Sequence, residues 1–188
     1  MGVRVSYHRV PLACVMSLRE SVEAMRRFVY FDVEESLTQG IDIDKAWDGL
    51  HYLLDPARRA TCCDHPQTTR GRMVLGGEVV NATFSKADDF MARVLSPPEI
   101  QHAVLDLALL TESDLYSTMD WQAMMNHPDP NMRVYGPHAG QVYDPDRGVS
   151  IVVGKDGWFA WYWHHFVALR DFYRDVADSD DCVIVLKD

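Results

Sequence analysis

The sequence predicts an α+β fold: a single compact domain over residues 1–188, with a small mixed or antiparallel sheet packed with about four to five helices on one side. Three observations carry this. Strand patterns stand at both ends of the chain and a hairpin pattern stands in the middle. The helical patterns are grouped between them, without the β-α-β-α alternation of a doubly wound sheet. A chain of 188 residues also suits one domain, burying about two-thirds of the surface its unfolded form exposes.

At the N-terminus Val3, Val5 and Tyr7 alternate with Arg4 and Ser6, the two-residue period of a strand with one buried face. Ser17-Leu18-Arg19-Glu20 has the form of a capping box and predicts a helix to about Phe31, with Leu18, Val22, Met25 and Val29 on one stripe. Gln39-Gly40 breaks the chain before IDIDKAWDGLHYLL at 41–54, an amphipathic helix started by Asp42 or Asp44, with Ile43, Trp47, Leu50 and Leu54 buried. The polar, locally basic stretch 55–71 reads as a loop. Arg72 to Leu75 and Glu78 to Phe84 flank Gly76-Gly77, read as the two-residue turn of a hairpin.

Phe90 to Leu95 is a short strand that ends at Ser96-Pro97-Pro98-Glu99, a second capping box. The helix behind it carries Ile100, Val104, Leu107 and Leu110 on its apolar stripe. A less regular helical stretch over 112–127 leads into a loop at 127–148 rich in Pro, Gly, Asp and Asn. Val149 to Val153 reads as a strand, Gly157 as a break, Trp158 to Ala177 as a long helix and Cys182 to Leu186 as a buried closing strand.

Charge narrows the partners. Eighteen Lys and Arg stand against 28 Asp and Glu, a formal net charge of −10, and no basic run is interleaved with aromatics. Nucleic acid and anionic membrane are both bound mainly through Lys and Arg, so neither is an expected partner; a basic protein or a small ligand is. The four cysteines, Cys14, Cys62, Cys63 and Cys182, form no C-x-x-C pair, which fits a reducing cytoplasm. Neighbouring cysteines diverge, so Cys62-Cys63-Asp64-His65 is a poor zinc site, and neither a metal nor a cofactor is expected.

VPLACVM at 10–16 is too short for a secretory core and contains Pro11. MGVRVS and Asn81-Ala82-Thr83 match myristoylation and glycosylation patterns that arise readily by chance. No apolar run approaches the roughly 18 residues of a membrane span.

In the 41–54 helix Asp44, Asp48 and His51 fall at i, i+4 and i+7, two carboxylates and an imidazole on one face. Such a face suits a divalent metal or an acid–base pair, yet early acids also favour a helix start and an imidazole is common at a core margin. Gly49 is harder to explain structurally, since a mid-helix glycine costs about 1 kcal/mol relative to alanine. It implies either close packing or clearance for a ligand beside Trp47. His165 interrupts the stripe Trp158, Tyr162, Leu169, Phe172 and Val176, while its neighbour His164 turns to the wetter face. The candidate pocket is therefore Asp44, Trp47, Asp48, His51, Gly76, Gly77 and His165, with no catalytic residue assigned. There is no P-loop, dinucleotide fingerprint, nucleophile elbow, H-E-x-x-H or EF-hand loop.

IDIDKAWDGLHYLL followed by MVLGGEVV resembles the signature of the YfbM-like bacterial proteins, a domain of unknown function. MGVRVSYHRV, RVLSPPEIQHAVLDL and FVALRDFYRDVADSDDCVIVL are similar to that family's opening strand, strand-to-helix passage and closing helix and strand, whereas 126–160 departs from it. The resemblance implies a compact α+β cytosolic protein and brings no reaction with it. The leading expectation is a non-catalytic binding or interaction module, immunity-like or regulatory in kind. The alternative is a small enzyme or metal-dependent catalyst around Asp44, Asp48 and His51; a third reading is a homo-oligomer built through the C-terminal aromatics.

Overall fold

A computed structural model describes residues 4–32, 39–55, 66, 68–88, 90–126, 141–144, 149–152 and 154–187. In chain order the elements are β1 (Val5–Val10), α1 (Leu12–Glu20), α2 (Val22–Arg27), a π-helical turn (Phe28–Asp32), β2 (Gly40–Asp42), α3 (Ala46–Leu54) and α4 (Thr69–Leu75). Next come β3 (Glu78–Val79), α5 (Ala82–Asp88), β4 (Met91–Leu95), α6 (Pro97–Ala108), α7 (Glu112–Thr118) and α8 (Trp121–Asn126). The chain closes with β5 (Gln141–Asp144), β6 (Val149–Val152), α9 (Lys155–Ala177) and β7 (Cys182–Lys187).

Five strands form one antiparallel sheet in the order β2-β1-β7-β4-β3, and β5 and β6 pair as a separate two-stranded ribbon. The α+β class is as the sequence predicts. Helices, however, cover both faces of the sheet. The central strand β7 sends Val183 and Val185 into one core and Cys182, Ile184 and Leu186 into the other. A strand covered on both sides must be apolar at consecutive positions, which is what CVIVL supplies.

The larger core joins Val5 and Tyr7 to α3, α4, α6 and α9; the smaller joins Val10, Ala92 and Val94 to α1, α2 and α5. In the larger one, the Tyr7 hydroxyl donates to the Val74 carbonyl and the Tyr173 hydroxyl to the Met73 carbonyl, each at 2.8 Å. Two of the carbonyls left over at the C-terminal end of α4 are thereby satisfied.

Nine α-helices stand among the described residues, more than expected, because short capped segments replace longer helices and a hairpin. Ser17 lies inside α1; the capping serine is Ser21, whose hydroxyl accepts from Ala24 N–H at 3.1 Å and starts α2. Arg72 to Leu75 are helical, since Thr68 caps α4 by accepting from Gly71 N–H at 3.0 Å. Gly76 is therefore a helix end with φ of 78°, a value that favours glycine. Asn81 caps α5 through Phe84 N–H, which turns most of the expected second hairpin strand into helix.

The capping box at Ser96 forms as predicted, with Ser96 N–H donating to Glu99 Oε2 at 2.9 Å. Asp120 accepts from Ala123 N–H and splits the next helical stretch into α7 and α8. Within the expected 127–148 loop, 141–144 form β5, and Gly157 lies inside α9. The remainder of that loop and the Cys62 to His65 motif lie outside the described residues.

His8 on β1 has no exposed surface; its Nε2 lies 2.9 Å from Ser6 Oγ, and Phe28 packs edge-on against the ring. Burial lowers its pKa to about 4. The folded protein therefore binds fewer protons here than the unfolded chain, whose histidine titrates near 6.5. The stabilisation from neutral His8 is complete above about pH 6.5 and is lost as pH falls toward 4. His8→Gln is expected to flatten this part of the stability profile in urea unfolding at pH 7 and pH 5. An unchanged slope in the variant would remove His8 as its source.

Candidate functional site

The helix at the centre of the expected site begins later than its sequence suggests. Asp44 lies before α3 with φ of 47°, its N–H donating to Asp42 Oδ1 at 2.6 Å and its carboxylate meeting Arg4 Nε at 3.1 Å. It is a turn residue near the surface, so the expected Asp44, Asp48 and His51 face does not form. All nine residues of α3 are buried, with Asp48 at 4 % exposure and His51 at 0 %.

His51 and Asp55 meet across one helical turn, Nε2 to Oδ2 at 3.6 Å, and Asp55 is as buried as its partner. The same carboxylate accepts from Thr68 N–H at 3.3 Å, at the start of α4. A Cβ on Gly71 would overlap the Asp55 carboxyl, so this glycine lets α4 close on the acid. Asp55 thus ties α3 to α4. A catalytic base must come within hydrogen-bond reach of a substrate proton, and full burial denies His51 that reach in this conformation.

Gly49 has an equally structural explanation. The Tyr162 ring of α9 occupies the space where a Cβ on Gly49 would stand, so the missing side chain brings the two helices together. Burial, followed by the nearby Asp48 charge, raises the Tyr162 pKa and keeps this phenol protonated. Trp47 is 7 % exposed, with Lys187 Nζ 4.2 Å from its ring centroid.

The other expected members lie elsewhere. A Cβ on Gly76 would press on Arg93 and Val185, and one on Gly77 would come within 2.7 Å of the Val94 carbonyl oxygen. Both glycines serve close packing between the end of α4 and the sheet. His165 is half-buried on α9 between Trp161, at 5.0 Å, and the exposed His164, at 5.4 Å. Burial, then His164, lowers its pKa, with Asp44 and Asp42 opposing the shift. The structure thus gathers Trp47, Asp48 and His51 in the core and sets Asp44 with His165 toward the β2 edge. Gly76 and Gly77 stand apart from both.

Three cavities are lined by none of these expected site residues. One of about 150 Å³ between α4 and α6 is lined by Arg72, Glu99 and His102. Another, of about 240 Å³, opens at the β1–β2 edge beside Arg4, Ser6, Tyr30 and Asp42. The largest of the three, about 560 Å³, lies between α7 and α9 and is lined by Glu112, Ser113, Tyr116, Asp156, Phe159 and Ala160.

Its walls are well held. Thr111 and Asp114 form a reciprocal cap that starts α7, with Thr111 N–H donating to Asp114 Oδ2 at 2.9 Å and Asp114 N–H to Thr111 Oγ1 at 3.2 Å. Tyr116 and Phe159 pack edge to face at 4.9 Å, and the Tyr116 hydroxyl donates to Asp156 Oδ1 at 2.7 Å. That bond raises the Tyr116 pKa. Lys155 Nζ stands 4.2 Å from the Tyr116 ring centroid. The candidate pocket read from the sequence did not include Glu112, Tyr116 or Asp156; the local signal there was the T-x-x-D cap at 111–114. Among the described residues, no three or more His, Cys, Asp or Glu are grouped to hold a metal.

A five-stranded antiparallel sheet between two helical layers, with the wholly buried helix AWDGLHYLL in its larger core, defines the class of protein. The chain belongs to the family described as Domain of unknown function (DUF1877), whose model matches residues 1–186. Among solved structures it is similar to YfbM from Escherichia coli, a protein of unknown function, at 18 % identity and a TM-score of 0.65, over 98 % of this chain and 99 % of that one. At this identity the likeness shows the fold. No curated protein is significantly similar to the chain. No helix among the described residues is long and apolar enough to cross a membrane.

Proposed function

We propose that the protein is a non-catalytic binding module for a basic protein partner, acting in the cytoplasm in an immunity-like or regulatory role. One observation carries the reading. Asp48, His51 and Asp55, whose residue types would suit catalysis, are enclosed in the core, with Asp55 joining α3 to α4, whereas the α7–α9 groove opens aromatic and acidic groups to solvent. The net charge of −10 favours encounter with a cationic surface. The cytoplasmic placement rests on cysteine usage, four cysteines with no C-x-x-C pair.

Affinity capture on the intact chain at low ionic strength tests this. One stoichiometric basic protein is expected, released as salt screens the contact. Failure to recover such a partner, or retention of it unchanged at high salt, would overturn the proposal.

A further inference from the structure

We propose that the groove between α7 and α9 seats a lysine or arginine side chain of the basic partner, and that Lys155 occupies the cation position while the protein is free. This rests on the binding-module reading and specifies where and how the partner is recognised. A long-stemmed cation needs an apolar floor for its methylenes, an aromatic face for its charge and a carboxylate within reach. The groove supplies Phe159 and Ala160 as floor, Tyr116 as aromatic wall, and Glu112 and Asp156 as flanking acids. Phe159 is 4 % exposed and fixed against Tyr116, so the floor is formed before anything binds. The Tyr116 hydroxyl bond to Asp156 holds the ring and one acid in mutual register.

Lys155 shows that the ring face accepts an ammonium, since its Nζ stands 4.2 Å from the Tyr116 centroid. This lysine is tethered beside Asp156 on the first turn of α9, so an incoming cation competes with it for the same ring. Removing the tethered competitor should therefore strengthen binding, although it also removes a positive charge. Removing the acids should weaken it. A diffuse acidic surface predicts no such dependence on the ring and its acids.

The probe is an acetylated tetralysine amide, titrated into the intact protein at low salt while NMR follows the side-chain signals of Tyr116 and Phe159. The Nε-acetylated form of the same peptide is the control. Perturbation centred on those two rings and lost with the acetylated peptide is expected. Affinity should fall about tenfold in Glu112→Gln/Asp156→Asn and rise about threefold in Lys155→Met. Tyr116→Leu, checked for native fold by circular dichroism, should abolish the ring-centred perturbation. Asp175→Asn and Asp180→Asn, on exposed positions away from the groove, correct for net charge.

Shifts spread evenly over acidic residues, equal losses in the remote charge variants, or unchanged or weaker binding by Lys155→Met would each overturn the proposal. The two readings fail separately. A captured partner held equally well by Tyr116→Leu removes the groove and leaves the binding module, whereas the absence of any partner removes the module.

Discussion

Asp55→Ala is expected to lower the unfolding free energy by about 2–4 kcal/mol, the combined range for leaving a buried N–H without its acceptor and opening a small void. Three losses coincide at this carboxylate. His51 loses an acid 3.6 Å away, with neither side chain exposed. Thr68 N–H, at the start of α4, loses its acceptor. A void opens beside Gly71, where the missing Cβ made room for the acid. Against a typical domain stability of about 5–15 kcal/mol, the change should be visible as a much lower urea midpoint at pH 7. Asp55→Asn keeps an oxygen for Thr68 N–H and should lose clearly less. If the alanine variant loses under about 1 kcal/mol, the carboxylate does not tie α3 to α4.

Much of the fold was legible where local chemistry and tertiary environment agree. CVIVL reads as a buried strand because both its faces are covered, and Ser96 to Glu99 reads as a cap because that motif satisfies helix N–H groups within four residues. Legibility failed where two local readings compete. Gly76-Gly77 suits a hairpin turn, but Thr68 starts a helix just upstream and makes Gly76 its end. Ser17 and Ser21 both precede helical sequence, and only Ser21 acts as a cap.

The site was less legible for a different reason. Helical spacing makes Asp48 and His51 neighbours along α3 but does not reveal that other helices cover both residues. Including Asp44 assumed that the helix began before it, and a left-handed turn intervenes. Tyr116 and Asp156 are 40 residues apart and share a groove only because α7 meets α9, a pairing that no local pattern encodes.

Gly49→Ala should reverse the ordinary helix preference. In a mid-helix position alanine is favoured over glycine by about 1 kcal/mol, yet here the added methyl meets the Tyr162 ring, which is 1 % exposed and has little space to retreat. The expected net loss is about 2 kcal/mol, within the usual range for overpacking, and Gly49→Leu should lose more. Tyr162→Leu shortens the opposing side chain and provides the decisive background. There Gly49→Ala should become neutral or stabilising by up to about 1 kcal/mol, giving a coupling of about 2–3 kcal/mol in a double-mutant cycle. Additive effects would mean that Tyr162 does not set the requirement for glycine. A sign reversal would assign Gly49 to the approach of α3 and α9, because the same methyl would then be tolerated once the ring is gone.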